Sequence, residues 1–557
     1  MTISLRSTPA LAVALLAPTT AGAQQSHAPR ARIDAVFAQY DRPDVPGCVV
    51  GVYKDGAIVY ARGYGSANLE HRIALTPQSM LDIGSMGKQF TAAVVTLLAQ
   101  ESRLSLDDDV RKYVPELPDY GHPITLRHLL HHTGGLRNYN RLLELSGHEA
   151  DDVTTDDDAL AVLARQKAPN FQPGSEFVYN NSGYFLLSLV VKRVTAASLQ
   201  DVARIRLFRP LGMRRTHFQT SYDAIVPGRA TGYSRVSGNG FRSDMPRSLQ
   251  IGDGGVWSSA EELILWDSNF YDARIGGRAM IDTLERPGRL TSGESTNYGG
   301  GLSISSYRGH RAVGHGGSSG GYKSQLTRFP DQRLSIAVLC NRSDVVPESL
   351  VQRVADIFLP DSSSAGAPDR LAALPEISLP HNVLPLLTGT FRGDAPEMRT
   401  VADQGRLYLL VQGERYELRH IGSYRFEMLR APSEVSVSFD VPGSEPARRL
   451  LFQGIQGALT MVRVTGAGVT AAALQEFAGR YYSEELQSTI EIGAMDGGIV
   501  VRGPGIGSQV FPMAAPDEFS ADMSIQFTRR PGGSITGFAL SDSRSRNMRF
   551  DRVVSPR

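Results

Sequence analysis

Lysine is scarce in this chain. Its 557 residues hold six, at positions 54, 88, 112, 167, 192 and 323, against 52 arginines. A cationic side chain that must give up its proton therefore has few places to be, because arginine keeps its proton in a protein. Cysteine is scarcer still: only Cys48 and Cys340 are present, each inside a valine- and leucine-rich stretch that reads as a strand. Two readings stay open for them, a pair of small buried hydrophobes or one disulfide formed in an oxidising compartment. Net charge is nearly absent, at +1, which removes the electrostatic reason to expect nucleic acid or an anionic membrane as partner. Long apolar runs are absent as well. No stretch of eighteen apolar residues occurs, so no membrane-spanning helix is expected.

What is present starts with a short apolar run at 11–17. It follows Met1-Thr-Ile-Ser-Leu-Arg6 and precedes Ala21-Gly22-Ala23, the pattern of a charged start, a hydrophobic segment and a small-residue cleavage site. Residues 1–23 thus read as a signal peptide cut after Ala23, which predicts secretion or a bacterial periplasm. The full chain, with 41% apolar and 21% charged residues, exceeds what one core supports and predicts two or three globular domains.

Within 29–360, Cys48-Val-Val-Gly-Val-Tyr53 and Ala57-Ile-Val-Tyr-Ala61 flank Asp55-Gly56, a strong hairpin signal. Residues 84–101 are apolar at helical spacing, and further helices are expected at 126–130, 155–167, 183–195 and 261–270. Before the last of these, Ser259 and Glu262 form a capping-box pattern. Strand-like runs return at 312–315, 323–329 and 334–340. Strands at both ends of a helical middle predict one sheet completed by sequence-distant segments. A Ser-, Ala- and Pro-rich stretch then reads as a linker at 361–384. Beyond it the chain looks built twice, over 385–466 and 472–555. Leu387-Thr-Gly389-Thr-Phe391 answers Phe477-Ala-Gly479-Arg-Tyr481, 406–411 answers 498–502, and Phe452 with Met461 and Val464 answers Phe538 with Met548 and Val553. Each copy has the size of a small β-barrel or sandwich.

Chemistry concentrates in three places. Ser85-Met86-Gly87-Lys88 opens a predicted helix, so an amine lies one turn from a hydroxyl. A serine is a poor nucleophile until a neighbouring base takes its proton. Of the six lysines only Lys88 has a serine three residues before it. The second place is Tyr179-Asn180-Asn181. Tyr179, a phenol beside an ammonium, is suited to relay the serine proton and return it to a leaving group, and Asn181 offers an amide to the substrate or to the lysine. The third is Gly314-His315-Gly316-Gly317-Ser318 at a strand end. Gly317 would let a substrate lie against the backbone, the amides of Ser85 and Ser318 form a candidate oxyanion hole, and His315 is placed to orient substrate or steady charge.

Together Ser85-x-x-Lys88, Tyr179-x-Asn181 and His315-x-Gly317 resemble the three motifs of the penicillin-recognising serine hydrolases: class C β-lactamases, D-Ala-D-Ala carboxypeptidases, D-aminopeptidases and related esterases. His132-Thr-Gly-Gly-Leu136, Pro210-Leu-Gly-Met213 and Gly252-Asp-Gly-Gly-Val-Trp257 resemble the family too, over about residues 30 to 360. The resemblance implies an α+β fold, an antiparallel sheet flanked by helices with a helical subdomain, followed by two small antiparallel β-barrels of the kind that shape substrate access in D-aminopeptidase relatives. It implies an acyl-enzyme on Ser85, with Lys88 or Tyr179 as the base, and no cofactor. Many family members carry lysine where this chain has His315, and that lysine binds the substrate's carboxylate. The substrate order expected is therefore small D-amino-acid amides or peptides, then short esters, then β-lactams or peptidoglycan stem peptides.

Three other readings compete. Gly316-x-Ser318-x-Gly320 and Gly317-x-Ser319-x-Gly321 match an α/β-hydrolase elbow, which requires a helix directly afterwards, whereas 322–329 alternates like a strand. His122, His128, His131 and His132 crowd one region, but no glutamate of the H-E-x-x-H kind accompanies them, so no metal is expected. A non-catalytic binder would be either a β-lactam sensor, which generally needs a membrane segment where none is expected here, or a degenerate homologue acting through its C-terminal β domains, which would ordinarily lose the serine, lysine or tyrosine, and all three are here.

Overall fold

The computed structural model describes residues 21–149, 151–236, 240–359, 379–380, 382–393, 395–411, 414–429, 435–454, 457–464 and 469–553. All but the last three residues of the expected signal peptide, and most of the expected linker, lie outside the described residues.

The fold is α+β. Six antiparallel strands form the main sheet in the order Ser303–Tyr307, His310–Ser319, Tyr322–Phe329, Leu334–Cys340, Cys48–Lys54, Ala57–Tyr64. The first hairpin of the chain turns on Asp55 and Gly56, whose φ values of 52 and 80 are those a two-residue hairpin demands. Its partner across the sheet is the last strand of the unit, in a register that sets Cys48 opposite Cys340. Their Cα atoms are 4.0 Å apart and the sulfurs are bonded, so the disulfide reading is the one the structure takes.

Alternation along these strands divides the core. Val50, Val52, Ile336 and Val338 face Ile33, Phe37, Leu350 and Val354 of the helices Ala21–Phe37 and Pro347–Phe358. Val49, Leu326, Ala337 and Leu339 face the opposite way, into the helical middle of the chain. That middle includes Lys88–Gln100, Asn181–Thr195 and Ala260–Asp272, which contribute Phe90, Phe185 and Trp266 to one core, with Phe90 packed on Trp266. The capping pattern at 259–262 is half realised. Ser259 accepts the Glu262 amide at 3.3 Å, but the Glu262 carboxylate turns away to the amides of Arg215 and Thr216.

Two closed eight-stranded antiparallel barrels follow, the first from Gly389–Gly393 to Gly457–Arg463 and the second from Gly479–Ser483 to Met548–Arg552. The paired segments read from the sequence fall on equivalent strands: the first, third, seventh and eighth of each barrel. The first barrel keeps a core of its own. The second shares a continuous core with the helical region, and this contact bears on the site.

Candidate active site

Ser85 lies in a 3-10 turn, Gly84–Gly87, that runs into the α-helix Lys88–Gln100. The sequence suggested an α-helix from the start; the tighter turn matters because side chains three apart eclipse in it. Lys88 Nζ consequently reaches Ser85 Oγ at 3.0 Å. The same nitrogen donates to Asn181 Oδ1 at 2.9 Å and to the Asp253 carbonyl at 2.6 Å. Lys88 is fully buried, so three acceptors around an amine satisfy the requirement that a buried polar group be paired. Of the two roles open to Asn181, the structure gives it the lysine, and its Nδ2 donates onward to Asn140 Oδ1 at 2.8 Å.

Tyr179 is buried beside Lys88, whose Nζ stands 5.0 Å from the ring centroid. Among the described residues its hydroxyl has no hydrogen-bond partner, and neither has His132 Nε2. The two rings lie 4.3 Å apart. Tyr179 thus presents an unpaired, buried hydroxyl next to the serine–lysine pair, a group that gains a partner when a substrate supplies one.

Two residues of the third motif are held by protein neighbours. His315 is buried, its Nδ1 meets the Gly316 carbonyl and its Nε2 lies 2.9 Å from the Tyr298 hydroxyl. A carbonyl only accepts, so Nδ1 carries the proton and Nε2 accepts from the tyrosine. Burial, with Lys88 nearby, lowers its pKa to about 3, which keeps the ring neutral. His315 therefore has a protein partner at each ring nitrogen. Gly317 also answers to the protein: a Cβ there would lie 1.9 Å from the Ile83 carbonyl, so glycine allows the strand to close on the nucleophile turn. Gly84, with φ of 52, meets the same strand, and a Cβ on it would come within 2.6 Å of Ser318 N. These contacts bring the Ser85 turn and the Ser318 backbone side by side. Tyr322–Phe329 continues as a strand after Ser318 and Ser319, against the elbow reading.

Asp82 went unnoticed in the sequence. It is buried, accepts the Gly84 amide and the Ser319 hydroxyl, each at 2.8 Å, and so ties the nucleophile turn to the strand end. Burial raises its carboxyl to about 6 despite those bonds. Asp253, whose carbonyl holds Lys88, is likewise raised by burial against the pull of the Lys88 ammonium. Among the described residues no group of three or more histidines, cysteines or carboxylates is arranged for a metal. His128 instead closes a capping box with Thr125. No helix among them is long and apolar enough to cross a membrane.

Ser85, Asn181 and Ser318 open into a cavity of about 430 Å³. Its wall carries Glu144, Glu149, Asp152 and Asp244 against one arginine, Arg247. A hydroxyl at the floor of such a cavity, paired with a lysine amine that has a spare phenol beside it and adjoined by backbone amides, can form and hydrolyse an acyl intermediate.

A family model described as Beta-lactamase matches residues 33–357. A D-aminopeptidase of Cereibacter sphaeroides (strain KD131 / KCTC 12085) is 28% identical over 529 residues, 91% of this chain and 96% of its own. A D-aminopeptidase of Brucella anthropi is 31% identical over 296 residues, 53% of this chain and 56% of its own. The octameric penicillin-binding protein homologue from Pyrococcus abyssi is similar in structure, with a TM-score of 0.52 at 24% identity, over 79% of this chain and 99% of that one. The D-amino acid amidase from Ochrobactrum anthropi SV3 gives 0.50 at 21% identity, over 59% and 98%. At those identities the solved structures speak for the fold.

Proposed function

This chain belongs to the beta-lactamase family and is a serine hydrolase, and from that premise we propose that it hydrolyses amides and short peptides of D-amino acids bearing a free amine, through an acyl-enzyme on Ser85. The observation that carries the reading is Lys88 Nζ, 3.0 Å from Ser85 Oγ and held by two further acceptors. Ser85 attacks the carbonyl as its single proton passes to the coupled Lys88–Tyr179 pair, one member of which must be deprotonated beforehand. The Ser85 and Ser318 amides receive the oxyanion, and Tyr179 returns the proton to the departing nitrogen. Water then repeats the sequence on the ester.

The D-aminopeptidase relatives support the substrate class. So does the acidic wall of Glu144, Glu149, Asp152 and Asp244, which attracts an ammonium. The neutral, buried His315, where many family members carry lysine, supports ranking β-lactams last. The Cys48–Cys340 disulfide supports export, because such bonds persist in oxidising compartments. The test compares D-alanine p-nitroanilide, its L-enantiomer, a p-nitrophenyl ester and a chromogenic cephalosporin, with Ser85→Ala as control. The D-anilide should be cleaved fastest, and Ser85→Ala should abolish turnover. Preference for the L-anilide or the cephalosporin, or activity surviving in Ser85→Ala, refutes the proposal.

A further inference from the structure

The turn between the last two strands of the second barrel, residues 542–547, docks on the helical region beside Tyr179. Its backbone is held from both sides. Asn138 N donates to the Arg544 carbonyl at 3.2 Å and Asn170 Nδ2 to the same oxygen at 2.8 Å. Arg546 N donates to Asn170 Oδ1 at 2.7 Å, and the Arg137 guanidinium reaches the carbonyls of Arg546 and Asn547 at 2.9 and 3.0 Å. Within the turn, Asp542 Oδ1 accepts the amides of Arg544 and Ser545. The backbone of Arg544 is therefore fixed, and its guanidinium lies over Tyr179, with Cζ 5.1 Å from the ring centroid.

Resting on the reading above, we infer that Arg544 binds a free carboxylate on the leaving group, so that the preferred substrates are short peptides with both termini free rather than amides. Three observations converge on this. Arg544 lines a recess of about 230 Å³ between the helical region and the barrel, and Asn140 and Glu144 line both this recess and the cavity at Ser85. One linear substrate can occupy both. Tyr179 is the group that returns a proton to the departing nitrogen, and in an amino-acid leaving group the carboxylate carbon is two bonds from that nitrogen. A guanidinium over Tyr179 is thus where such a carboxylate arrives, and its planar fork fits one.

Charge is distributed to match. The wall at Glu149, Asp152 and Asp244 is acidic, whereas the Tyr179 end holds Lys88 and Arg544. His132 and His315 there are both held neutral, by burial first and then by Lys88. The recess itself carries Glu144, Asp522 and Asp542 beside Arg141 and Arg544, and Arg141 pairs with Asp542 and Glu144. An ammonium at one end and a carboxylate at the other is the charge pattern of a free dipeptide.

The experiment uses the full chain, with D-alanylglycine and D-alanylglycinamide as a matched pair, and Arg544→Gln and Arg544→Lys as variants. Wild type should favour the acid over the amide by about tenfold or more in kcat/KM, mainly through KM, the scale of a charge-assisted hydrogen bond. That ratio should fall by about tenfold in Arg544→Gln and by less in Arg544→Lys. Equal use of acid and amide by wild type, or loss of both alike in Arg544→Gln, overturns the inference. If neither is hydrolysed, the proposed function fails. Calorimetric binding of the same pair to Ser85→Ala protein, with and without Arg544→Gln, then still reads Arg544: preference for the acid that depends on Arg544 sustains the inference, and its absence overturns it.

Discussion

Replacing Glu485 by glutamine tests whether the second barrel is a working part of the active site. The Glu485 and Arg137 side chains are 6% and 2% exposed and 2.9 Å apart. Glu485 Oε1 also accepts the Lys167 amide at 2.6 Å. Arg137 in turn donates to Gln166 and to two carbonyls of the 542–547 turn. Its own carbonyl accepts from Ser182 at 2.6 Å, and the next residue, Asn138, accepts the Asn181 amide at 3.0 Å. One ion pair therefore joins the barrel to the residue that holds Lys88. Breaking a buried pair by removing one charge costs about 3–5 kcal/mol. Glutamine keeps an acceptor oxygen, which places Glu485→Gln at the lower end, about 3 kcal/mol. For a unit this large that corresponds to a first thermal transition lowered by about 3–5 °C. We expect kcat/KM to fall about tenfold with it, as 137–138 loosens around Asn181. Glu484→Gln is the matched control, because Glu484 pairs with Lys167 at side-chain exposures of 76% and 62%, where a pair contributes under about 1 kcal/mol. Calorimetric scans and anilide kinetics read both. If Glu485→Gln behaves like Glu484→Gln, the barrel is an appendage and the mechanical link is wrong.

Lys88→Arg should lower activity on the order of a thousandfold and abolish labelling by a fluorophosphonate, since arginine cannot take the serine proton; labelling that persists would clear Lys88 of that role. Asp82→Ala removes the bonds to Gly84 N and Ser319 Oγ and should cut kcat by about tenfold to a hundredfold with a smaller change in KM. Asp82→Asn, which can still accept one bond and donate the other, should recover most of it; equal losses in the two variants would point to charge rather than position. Acid stability tests the neutral His315. A histidine whose folded pKa is about 3 against 6.5 unfolded resists protonation when folded, so its contribution is complete above pH 6.5 and is lost as pH falls toward 3. At pH 5 the loss is about 2 kcal/mol, at 1.36 kcal/mol per pH unit. Urea unfolding at pH 7 and 5 should show that much less acid loss in His315→Gln; identical losses would mean the ring is not held neutral. Asp82, raised to about 6, favours the folded state on acidification over pH 6 to 3.8, equally in both proteins, and cancels in the difference.

What the sequence made legible was whatever local geometry or patterning dictates. Ser85 and Lys88 are three apart, so any helical turn brings them together. The Asp55-Gly56 turn fixes the hairpin that carries Cys48, and alternation over 334–340 fixes the strand beside it. The duplication of the barrels showed because glycine, aromatic and methionine positions recur in order. Main-chain partners left no such trace. The third acceptor of Lys88 is the Asp253 carbonyl, which any residue could supply, although the Gly252-Asp-Gly-Gly stretch marked the place. Asp82 was invisible because its partners, the Gly84 amide and Ser319, meet only when two distant segments close. Arg544 arrives from more than 350 residues beyond Tyr179 by way of a turn that no pattern singles out. His315 and Gly317 were seen, but the protein neighbours that hold them were not. Their motif marks the strand, while their neighbours Tyr298, Gly316 and Ile83 decide what each residue does.

The bias in cation usage acquires a physical meaning at the site. Arg137 and Arg328 are each 2% exposed, and each meets a carboxylate, Glu485 and Asp267, at 2.9 Å. Such pairs fix elements in place, and a proton that never leaves is an advantage there. Lys88 is equally buried, yet its three hydrogen-bond acceptors are a hydroxyl, an amide oxygen and a backbone carbonyl. A carboxylate in that shell would bind the ammonium as a charge and compete with Ser85 for its proton. Neutral acceptors position the amine and leave the proton available to the reaction. The division holds across the site: Arg137 and Arg544 on its barrel side hold protein and, in our inference, substrate, while the lysine stands where a proton has to move. Exchanging these roles, with arginine at 88, keeps the charge and forfeits the chemistry.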